Sequence, residues 1–281
     1  MHLKIYIILV IFSVCIFFVS GCAGTSNLAE QESLSQAQDV NTPSKASLNE
    51  IIETIQQDSK TFPARLWKDG KTTFTKPDNI AALLLAGGAS IAMHQEADKN
   101  IADYFDKYQQ LQGSDAEALN LIGHPMIHSA ASYIWYFLSI RNKDDINKDR
   151  ALTMRTALTL NWLATTALQY IRGNDTPNGE YLSWPSGHAS SSFTIASVMD
   201  EFYGPKVGIP AYAIASFISY RMMDTGDNYS SDVVFGATLG WVIGHTVASQ
   251  NNDLKIAGFD IVPFIPQTEK PAFGIGLIKR F

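Results

Sequence analysis

The pattern of apolar and polar residues divides the chain into an apolar start, a polar stretch and a long series of amphipathic segments. Residues 5–19 form an unbroken apolar run, whereas residues 23–46 are rich in Ser, Gln, Asn and Ala. A segment of that composition cannot build a packed core, so residues 22–46 are predicted to form a flexible tether. An amphipathic helix is predicted over residues 48–57, followed by irregular structure around an Asp-Gly turn within residues 65–79.

Beyond residue 79 the periodicity is helical and recurs in six apolar segments, each interrupted by polar residues. The predicted helices cover residues 80–95, 125–140, 151–171, 190–203, 209–223 and 231–249. None contains the run of about 18 or more apolar residues that is typical of a membrane-spanning helix. In the last one, Gly236, Gly240 and Gly244 recur every fourth residue, which allows a neighbouring helix to approach closely. The pattern therefore predicts an all-α helical bundle over residues 47–255.

The end of the chain changes from helical to β-like character. Residues 258–266 and 272–281 are short β-like runs on either side of the turn-prone sequence QTEKP. We therefore expect residues 256–281 to form a short β-hairpin that covers one end of the bundle.

Composition and charge narrow the classes of function. The 281 residues are 46% hydrophobic and 17% charged, with 21 basic and 27 acidic side chains. A chain of this length and apolar content can bury a substantial core. Its mildly acidic balance gives no sign of a nucleic-acid-binding surface, so we expect no nucleic-acid partner.

The N-terminus predicts export and lipidation. Lys4 precedes the apolar run, and the sequence VSGC, which ends at Cys22, follows it. A basic start, an apolar core and small residues before a cleavage point are typical of a secretory signal, and VSGC resembles the bacterial lipobox. Residues 1–21 are thus predicted to be removed and Cys22 to carry a lipid; an uncleaved signal anchor or an ordinary signal is the alternative. Because Ala23 is not Asp, known sorting rules favour the outer membrane, with the domain facing the periplasm.

A candidate anion site lies in the sequence WPSGHASSSF, which begins at Trp184. Gly187 lets the backbone approach a ligand closely, and a helix N-terminus after Ser186 would direct backbone amides at negative charge. His188 adds a side chain that is suited to proton transfer. The motif predicts a phosphate cradle with a catalytic histidine, or otherwise a turn and helix cap with a surface histidine.

Two longer segments extend this motif, LQYIRGNDTPNGEYLSWPSGHASSSF and SYRMMDTGDNYSSDVVFGATLG. Together they resemble the type-2 phosphatidic acid phosphatase / vanadium haloperoxidase superfamily, most closely its soluble, acid-phosphatase-like branch. The resemblance extends over about residues 121–244. The family pattern is K-x6-R-P, then P-S-G-H, then S-R-x5-H-x3-D. The implied fold is an all-α bundle in which the three motifs meet at one end.

The resemblance also implies roles for individual residues. In the family, cations and backbone amides hold the phosphate, the second-motif histidine protonates the leaving group, and the third-motif histidine attacks phosphorus while an aspartate orients it. By position, Ser186, Gly187 and Arg221 would bind phosphate. His188 would be the proton donor, and Asp232 would be the orienting carboxylate.

The first and third motifs depart from the family pattern. Gln169 stands where the family has Lys, and Thr176 stands where it has Arg. Asn228 occupies the position of the nucleophile, and an amide nitrogen without a basic lone pair cannot form a phosphoenzyme. Arg172, one helical turn after Gln169, is either a replacement cation or a helix-terminal arginine that interacts with the dipole. Arg221 lies one residue further from Asn228 than the pattern requires.

These departures predict lost or strongly reduced phosphomonoesterase activity and a remaining binding role. Each lost cation costs roughly 2–4 kcal/mol of transition-state stabilisation, and extra carboxylates at Asp224 and Asp227 would repel a phosphate dianion. The ligand would be a phosphate-bearing small molecule or a lipid headgroup, and the sequence identifies no protein partner. The alternative is an active periplasmic phosphatase that uses His188, Arg172 and Arg221 with water as the nucleophile.

No cofactor and no metal site are predicted. His124 and His128 have the i, i+4 spacing of metal ligands, but no HExxH-type glutamate lies between them, so we interpret them as structural. A cation site built from His188 with Asp224, Asp227 and Asp232 is a weaker alternative, because its spacing is not specific.

Overall fold

The computed structural model describes residues 45–251 and three short strands after them. In this part of the chain the elements are α1 (Leu48–Thr75), α2 (Pro77–Glu96), α3 (Asp98–Lys107), α4 (Ser114–Gly123), α5 (Pro125–Arg141), α6 (Asp145–Arg172), α7 (Gly187–Tyr203), α8 (Pro205–Asp224), α9 (Ser230–Asn251), β1 (Lys255–Ile256), β2 (Phe259–Phe264) and β3 (Gly274–Ile278). The prediction of a mainly helical bundle is confirmed. The signal predicted for residues 1–21 lies outside the described residues. So does the tether predicted for residues 22–46, except for residues 45 and 46.

The three strands pair antiparallel in the order β1-β2-β3, with Ile261 opposite Leu277. The residues that join β2 to β3, and the side chains of all three strands, lie outside the described part of the chain. The predicted terminal hairpin over one end of the bundle therefore stays a prediction.

The first helix is longer than the sequence predicts, and the irregular structure predicted for residues 65–79 is wrong. α1 continues through Asp69 and Gly70, and a Cβ at Gly70 would lie only 3.2 Å from Leu160 Cδ1. Asp69 is fully buried and accepts a hydrogen bond from Asn251 Nδ2 at 3.1 Å. These contacts with α6 and α9 override the local turn preference of Asp-Gly, which is worth about 1 kcal/mol.

Helices α7 and α9 run side by side at the centre of the bundle, where their backbones nearly touch. A Cβ at Gly240 would lie 2.0 Å from the carbonyl oxygen of Ser190, and one at Gly236 would lie 2.7 Å from that of Ser186. The close approach predicted from the glycine series is confirmed. Gly236 thereby places the start of α7, which carries the P-S-G-H motif, against the start of α9.

The hydrophobic core fills the space between these two helices, α6 and α2. Its fully buried members include Ala157, Val198, Leu239, Ile243 and Val247. A second, smaller cluster joins α1, α5 and α6, and its members include Ile51, Tyr136, Ile140 and Leu152. Burial of these side chains holds six long helices in one bundle. Among the described helices, none combines the length and apolar character needed to cross a bilayer.

Two short helices, α3 and α4, are absent from the sequence prediction. Each has only 10 residues, and both lie in the connection between α2 and α5. Helices this short give a weak periodic signal and depend on tertiary contacts for stability. They bring Asp98 and Asn120 next to the end of the bundle where the three motifs meet.

Candidate functional site

The three sequence motifs meet at one end of the bundle. The backbone amide of Ser186 donates to the carbonyl oxygen of Asp232 at 3.1 Å, which joins the second motif to the third. Gln169 Nε2 donates to the carbonyl oxygen of Pro185 at 3.1 Å, which joins the first motif to the second. The convergence implied by the resemblance is therefore present in the structure.

The second motif forms the start of α7. Ser186 is fully buried, and its Oγ accepts a hydrogen bond from the amide of Ala189 at 3.3 Å, so it is the N-cap of the helix. The preceding Trp184–Pro185 peptide bond is cis. A Cβ built at Gly187 would lie 3.8 Å from Pro125 Cγ, so the start of the helix faces the start of α5. The prediction that this motif opens a helix is confirmed.

His188 is the second residue of α7, and it belongs to a group of three histidines. Its ring packs edge-on against that of His124 with centroids 5.3 Å apart, and its Nε2 is buried without a partner among the described residues. Burial, followed by the charges of His124, Arg221 and His128, lowers the pKa of His188 to about 4. At pH 7 the ring is therefore neutral, and the imidazolium that would protonate a leaving group is scarce.

The other two histidines have contacts of their own. His124 Nδ1 accepts from the amide of Met126 at 3.2 Å and caps α5. His128 Nδ1 lies 3.0 Å from Ser191 Oγ, and burial lowers the pKa of His128 to about 4. Within the described part of the chain, no group of three or more His, Cys, Asp and Glu side chains could hold a metal ion.

Asn228, at the position of the family nucleophile, is turned toward the segment before the second motif. Its Nδ2 donates to the carbonyl oxygen of Ser183 at 2.8 Å and lies 3.4 Å from Ser183 Oγ. Only 5% of Asn228 is exposed. Its amide is therefore fixed in a buried contact.

Asp232, the carboxylate that would orient a nucleophile, is fully buried. Its Oδ2 accepts from Ser183 Oγ and from the amide of Tyr229, the latter at 2.8 Å. Its Oδ1 is buried and has no hydrogen-bond partner among the described residues. Burial raises the pKa of Asp232 above the ordinary carboxylate value, against the hydrogen bond from Ser183 that lowers it.

Arg221 is the cation of the third motif, and it is paired within the protein. Its guanidinium donates to Asp227 Oδ2 and lies 3.4 Å from Asn120 Oδ1. Asp227 also accepts from Thr225 Oγ1 at 3.0 Å and from Asn178 Nδ2 at 2.9 Å. The extra carboxylate noted in the sequence thus neutralises the cation that would bind phosphate.

The first motif supplies no free cation at the cradle. Thr176 Oγ1 accepts from the amide of Glu180 at 2.8 Å and organises the loop after α6. The guanidinium of Arg172 lies over the ring of Trp184, 5.2 Å from its centroid. Its charge also opposes the rise in the pKa of Asp232. The candidate replacement cation therefore stacks on the residue before Pro185.

The structure does not form the cation site considered from the sequence. Asp224 accepts from the amides of Gln110 and Leu111, at 2.9 Å and 2.7 Å, whereas Asp227 pairs with Arg221. Asp232 is bonded to Ser183 and Tyr229. The three carboxylates therefore have separate partners.

Sequence reasoning missed Ser183, Asn120 and the buried Asp98. Asp98 Oδ1 accepts from Ser230 Oγ at 2.7 Å and from the amide of Ser231 at 2.9 Å, at the start of α9. Burial alone would raise its pKa, but the hydrogen bonds from Ser231 and Ser230 lower it. Asp98 Oδ2 also bonds His94 Nδ1 at 3.1 Å, and both residues line a cleft of about 380 Å³. No local pattern marks these residues, because the partners of their side chains, except His94, are more than 40 positions away.

Comparisons with known proteins identify the family of the chain. The family model of the PAP2 superfamily matches residues 95–256. A similar solved structure is described as the first transmembrane PAP2 type phosphatidylglycerolphosphate phosphatase from Bacillus subtilis, at 19% identity and a TM-score of 0.45, covering 63% of this chain and 96% of that one. No curated protein matches the chain. Since the family model covers more than half of its residues, the chain belongs to the PAP2 superfamily.

Proposed function

We propose that this PAP2-superfamily protein has lost its phosphomonoesterase activity, or retains very little of it, and that it acts by binding. The observation that carries the proposal is the state of the third motif. Asn228 holds the nucleophile position and donates its amide to the Ser183 carbonyl oxygen at 2.8 Å. A side chain in that contact supplies neither a lone pair to attack phosphorus nor a proton acceptor for water.

The unpartnered oxygen of Asp232 supports the same conclusion. A buried carboxylate oxygen without a donor costs free energy, and Asp232 Oδ1 has no donor among the described residues. A histidine at position 228 would stand four residues before Asp232, and its ring N–H is the donor that such an oxygen requires. Replacement of that histidine by Asn228 explains why the oxygen is left without a partner.

The charges around the cradle also disfavour phosphoryl transfer. Gln169 and Thr176 are uncharged, and Arg221 is paired with Asp227. The low pKa of His188, about 4, leaves that ring neutral. Each missing cation removes roughly 2–4 kcal/mol of transition-state stabilisation, so the family reaction would be slowed by many orders of magnitude.

The binding role rests on what remains of the site. The first turn of α7 keeps its backbone amides and the Ser186 cap, and such helix starts bind anions. The ligand would be a phosphate-bearing small molecule or a lipid headgroup. The sequence VSGC supports a lipid anchor at Cys22, which would hold the domain at the outer membrane on its periplasmic side.

The test is phosphate release by residues 23–281 from a chromogenic phosphomonoester and from phosphatidic acid. We expect no turnover by the unmodified protein. Activity should appear with Asn228→His and increase when Gln169→Lys and Thr176→Arg are added. A matched control, Asn228→Gln, changes the size of the side chain without supplying a nucleophile and should stay inactive.

Two further variants distinguish the alternatives. Adding Asp232→Asn to Asn228→His should abolish the restored activity, because the imidazole then loses its orienting carboxylate. Turnover by the unmodified protein that disappears with His188→Ala would contradict the proposal and would establish an active phosphatase with water as its nucleophile.

A further inference from the structure

Five large apolar or aromatic side chains are unusually exposed at the end of the bundle that carries the motifs. We call them the apolar rim; they are Leu121 (60% exposed), Met126 (73%), Tyr170 (73%), Ile171 (80%) and Tyr181 (73%). Apolar side chains this exposed, when clustered, are typical of an interaction surface.

Contacts within the structure place the rim around the cradle. Met126 donates its amide to His124, and the His124 ring packs against His188, 5.3 Å between centroids. Tyr170 and Ile171 lie in the last turn of α6, the turn in which the side chain of Gln169 bonds the carbonyl oxygen of Pro185. The rim residues of α5 and α6 therefore lie at the end of the bundle that carries the second motif.

Tyr181 completes the rim from the loop between α6 and α7. It forms an isolated antiparallel bridge with Asp175, and the amide of Ser183, two residues on, donates to the carbonyl oxygen of Asn174 at 3.0 Å. These contacts fix the loop that leads into the second motif, so the tyrosine is held at the rim of the same site.

The segments that carry Leu121, Met126, Tyr170 and Ile171 contain no charged residue, whereas Tyr181 lies beside Glu180 and bridges Asp175. No Asp, Glu, Lys or Arg occurs from residue 118 to 140 or from residue 156 to 171. Contact with lipid would therefore desolvate few charged groups, which is the main cost of burying a protein surface in hydrocarbon. Tyrosine is enriched where membranes meet water, because its ring is apolar and its hydroxyl is polar. Arg172, directly after Ile171, suits the level of lipid phosphate groups.

The chain itself brings a bilayer within reach. The apolar run of residues 5–19 is the segment suited to membrane insertion, and 25 residues separate it from Lys45, where the described bundle begins. That many residues span at most ~90 Å, about twice the length of a 28-residue helix such as α6. With a lipid on Cys22 as the anchor, residues 23–44 remain as the connection, so any end of the bundle can touch the membrane that holds the N-terminus.

From these observations we infer that the apolar rim docks on the surface of that lipid bilayer, so that the cradle faces the membrane. The contact is separate from the N-terminal anchor, and it does not depend on whether the site retains phosphatase activity. Removal of the rim side chains from water would stabilise this contact. Five such side chains would favour one orientation of a domain that the N-terminal segment alone leaves free to rotate.

The experiment measures lipid contact at single positions in the full-length chain. Tryptophan is introduced as Ile171→Trp in the rim, or as Leu85→Trp on α2, a matched control position that is 76% exposed. Each protein is reconstituted in phosphatidylcholine vesicles with plain or brominated acyl chains, because bromine quenches tryptophan that lies among them. Far-UV circular dichroism of both variants should match that of the unmodified chain.

We expect the fluorescence added by Ile171→Trp to fall to about half or less in brominated vesicles, as for an aromatic ring at the interface. The fluorescence added by Leu85→Trp should not change. Equal quenching at both positions would overturn the proposal, because it would show unspecific lipid contact around the bundle. Quenching at neither position would also overturn it. If the emission of Ile171→Trp were blue-shifted but not quenched, the rim would be covered by protein instead of lipid. That protein would be either residues 252–281 or a second copy of the chain.

Discussion

At the scale of single residues, the departures from the family pattern are accommodated by specific hydrogen bonds. Asn228 donates to Ser183, Ser183 donates to Asp232, and the loop arginine pairs with Asp227. A buried polar group without a partner costs about 1–3 kcal/mol, so these contacts stabilise the buried polar groups of the site. Release of Arg221 from Asp227 would add a cation to the helix start that is proposed to bind the anion.

Removing the negative partner of Arg221 should strengthen phosphate binding. We predict that Asp227→Asn raises the affinity for inorganic phosphate about tenfold or more, which corresponds to ~1.4 kcal/mol. The guanidinium would then be free to meet an anion. Isothermal titration calorimetry measures the change. Asp106→Asn makes the same change of net charge at an exposed position and should have little effect on phosphate affinity. An equal gain in affinity in that variant would show that net charge, and not Arg221, causes the effect.

The buried histidines should make stability depend on pH. Burial lowers the pKa of His128 from 6.5 to about 4, so the folded state binds fewer protons than the unfolded state between these values. The stability is fully present above pH 6.5 and falls as the pH decreases toward 4. The loss from His128 is on the order of 3 kcal/mol.

Urea unfolding at pH 7 and at pH 5 measures this dependence. His128→Gln, which keeps a polar group near Ser191, should reduce the difference in unfolding free energy between the two pH values. His245→Gln, at a half-exposed position paired with Glu201, should reduce it much less. An unchanged difference in His128→Gln would show that other groups cause the acid sensitivity.

At the scale of elements, the position of the site depends on how closely α7 and α9 pack. The glycines of α9 face backbone atoms of α7, and this contact sets the start of α7 beside that of α9. Sequence periodicity indicates such a contact but gives no partner, because any neighbouring helix would satisfy the glycine pattern. The partner is set by the shape of the whole bundle.

Substitution of these glycines should separate the two helices. Gly240→Ala places a Cβ 2.0 Å from the carbonyl oxygen of Ser190, so we predict a loss of about 3 kcal/mol or more in unfolding free energy. Gly88→Ala in α2 meets no atom within 4 Å and should gain roughly 0.5–1 kcal/mol. Urea denaturation of both variants provides the comparison. Similar stability of the two would mean that α7 and α9 do not pack closely.

At the scale of the whole molecule, α1 belongs to the bundle although the family match begins only at residue 95. Ile51 belongs to the second core cluster, and Arg65 donates to Thr153 Oγ1 at 2.5 Å. Asp69 bonds Asn251 at the far end of α9. The helix therefore ties the start of the domain to its last helix.

Truncation at two points should separate the roles of the first residues. A chain that begins at Lys45 keeps the Ser47 cap of α1 and should unfold at the same temperature as residues 23–281. A chain that begins at Pro77 loses α1, and with it the contacts of Arg65 with Thr153 and of Asp69 with Asn251. Its Tm should therefore fall by 10 °C or more, at about 2–4 °C per kcal/mol. Thermal unfolding followed by circular dichroism measures both. An unchanged Tm without α1 would show that α1 is dispensable.

Much of the fold could be predicted from local patterns, and the failures have physical causes. The long helices are apolar segments of well over ten residues, so their existence was predictable, and P-S-G-H carries its own cap and helix start. The turn predicted at Asp69-Gly70 failed because burial against Leu160 and Asn251 outweighs a local preference of about 1 kcal/mol. Helices α3 and α4 were missed because ten residues give too little periodicity.

The sequence by itself determined the chemistry that the site can offer. Gln169, Thr176 and Asn228 carry neither a charge nor a basic nitrogen wherever the backbone lies, because those properties belong to the side chains alone. Only the tertiary structure decided what the remaining groups do. Among the described residues Asp232 has a buried oxygen without a partner, and Arg221 is neutralised, because hydrogen bonds and ion pairs depend on which groups the packing of α6 to α9 brings within about 3 Å.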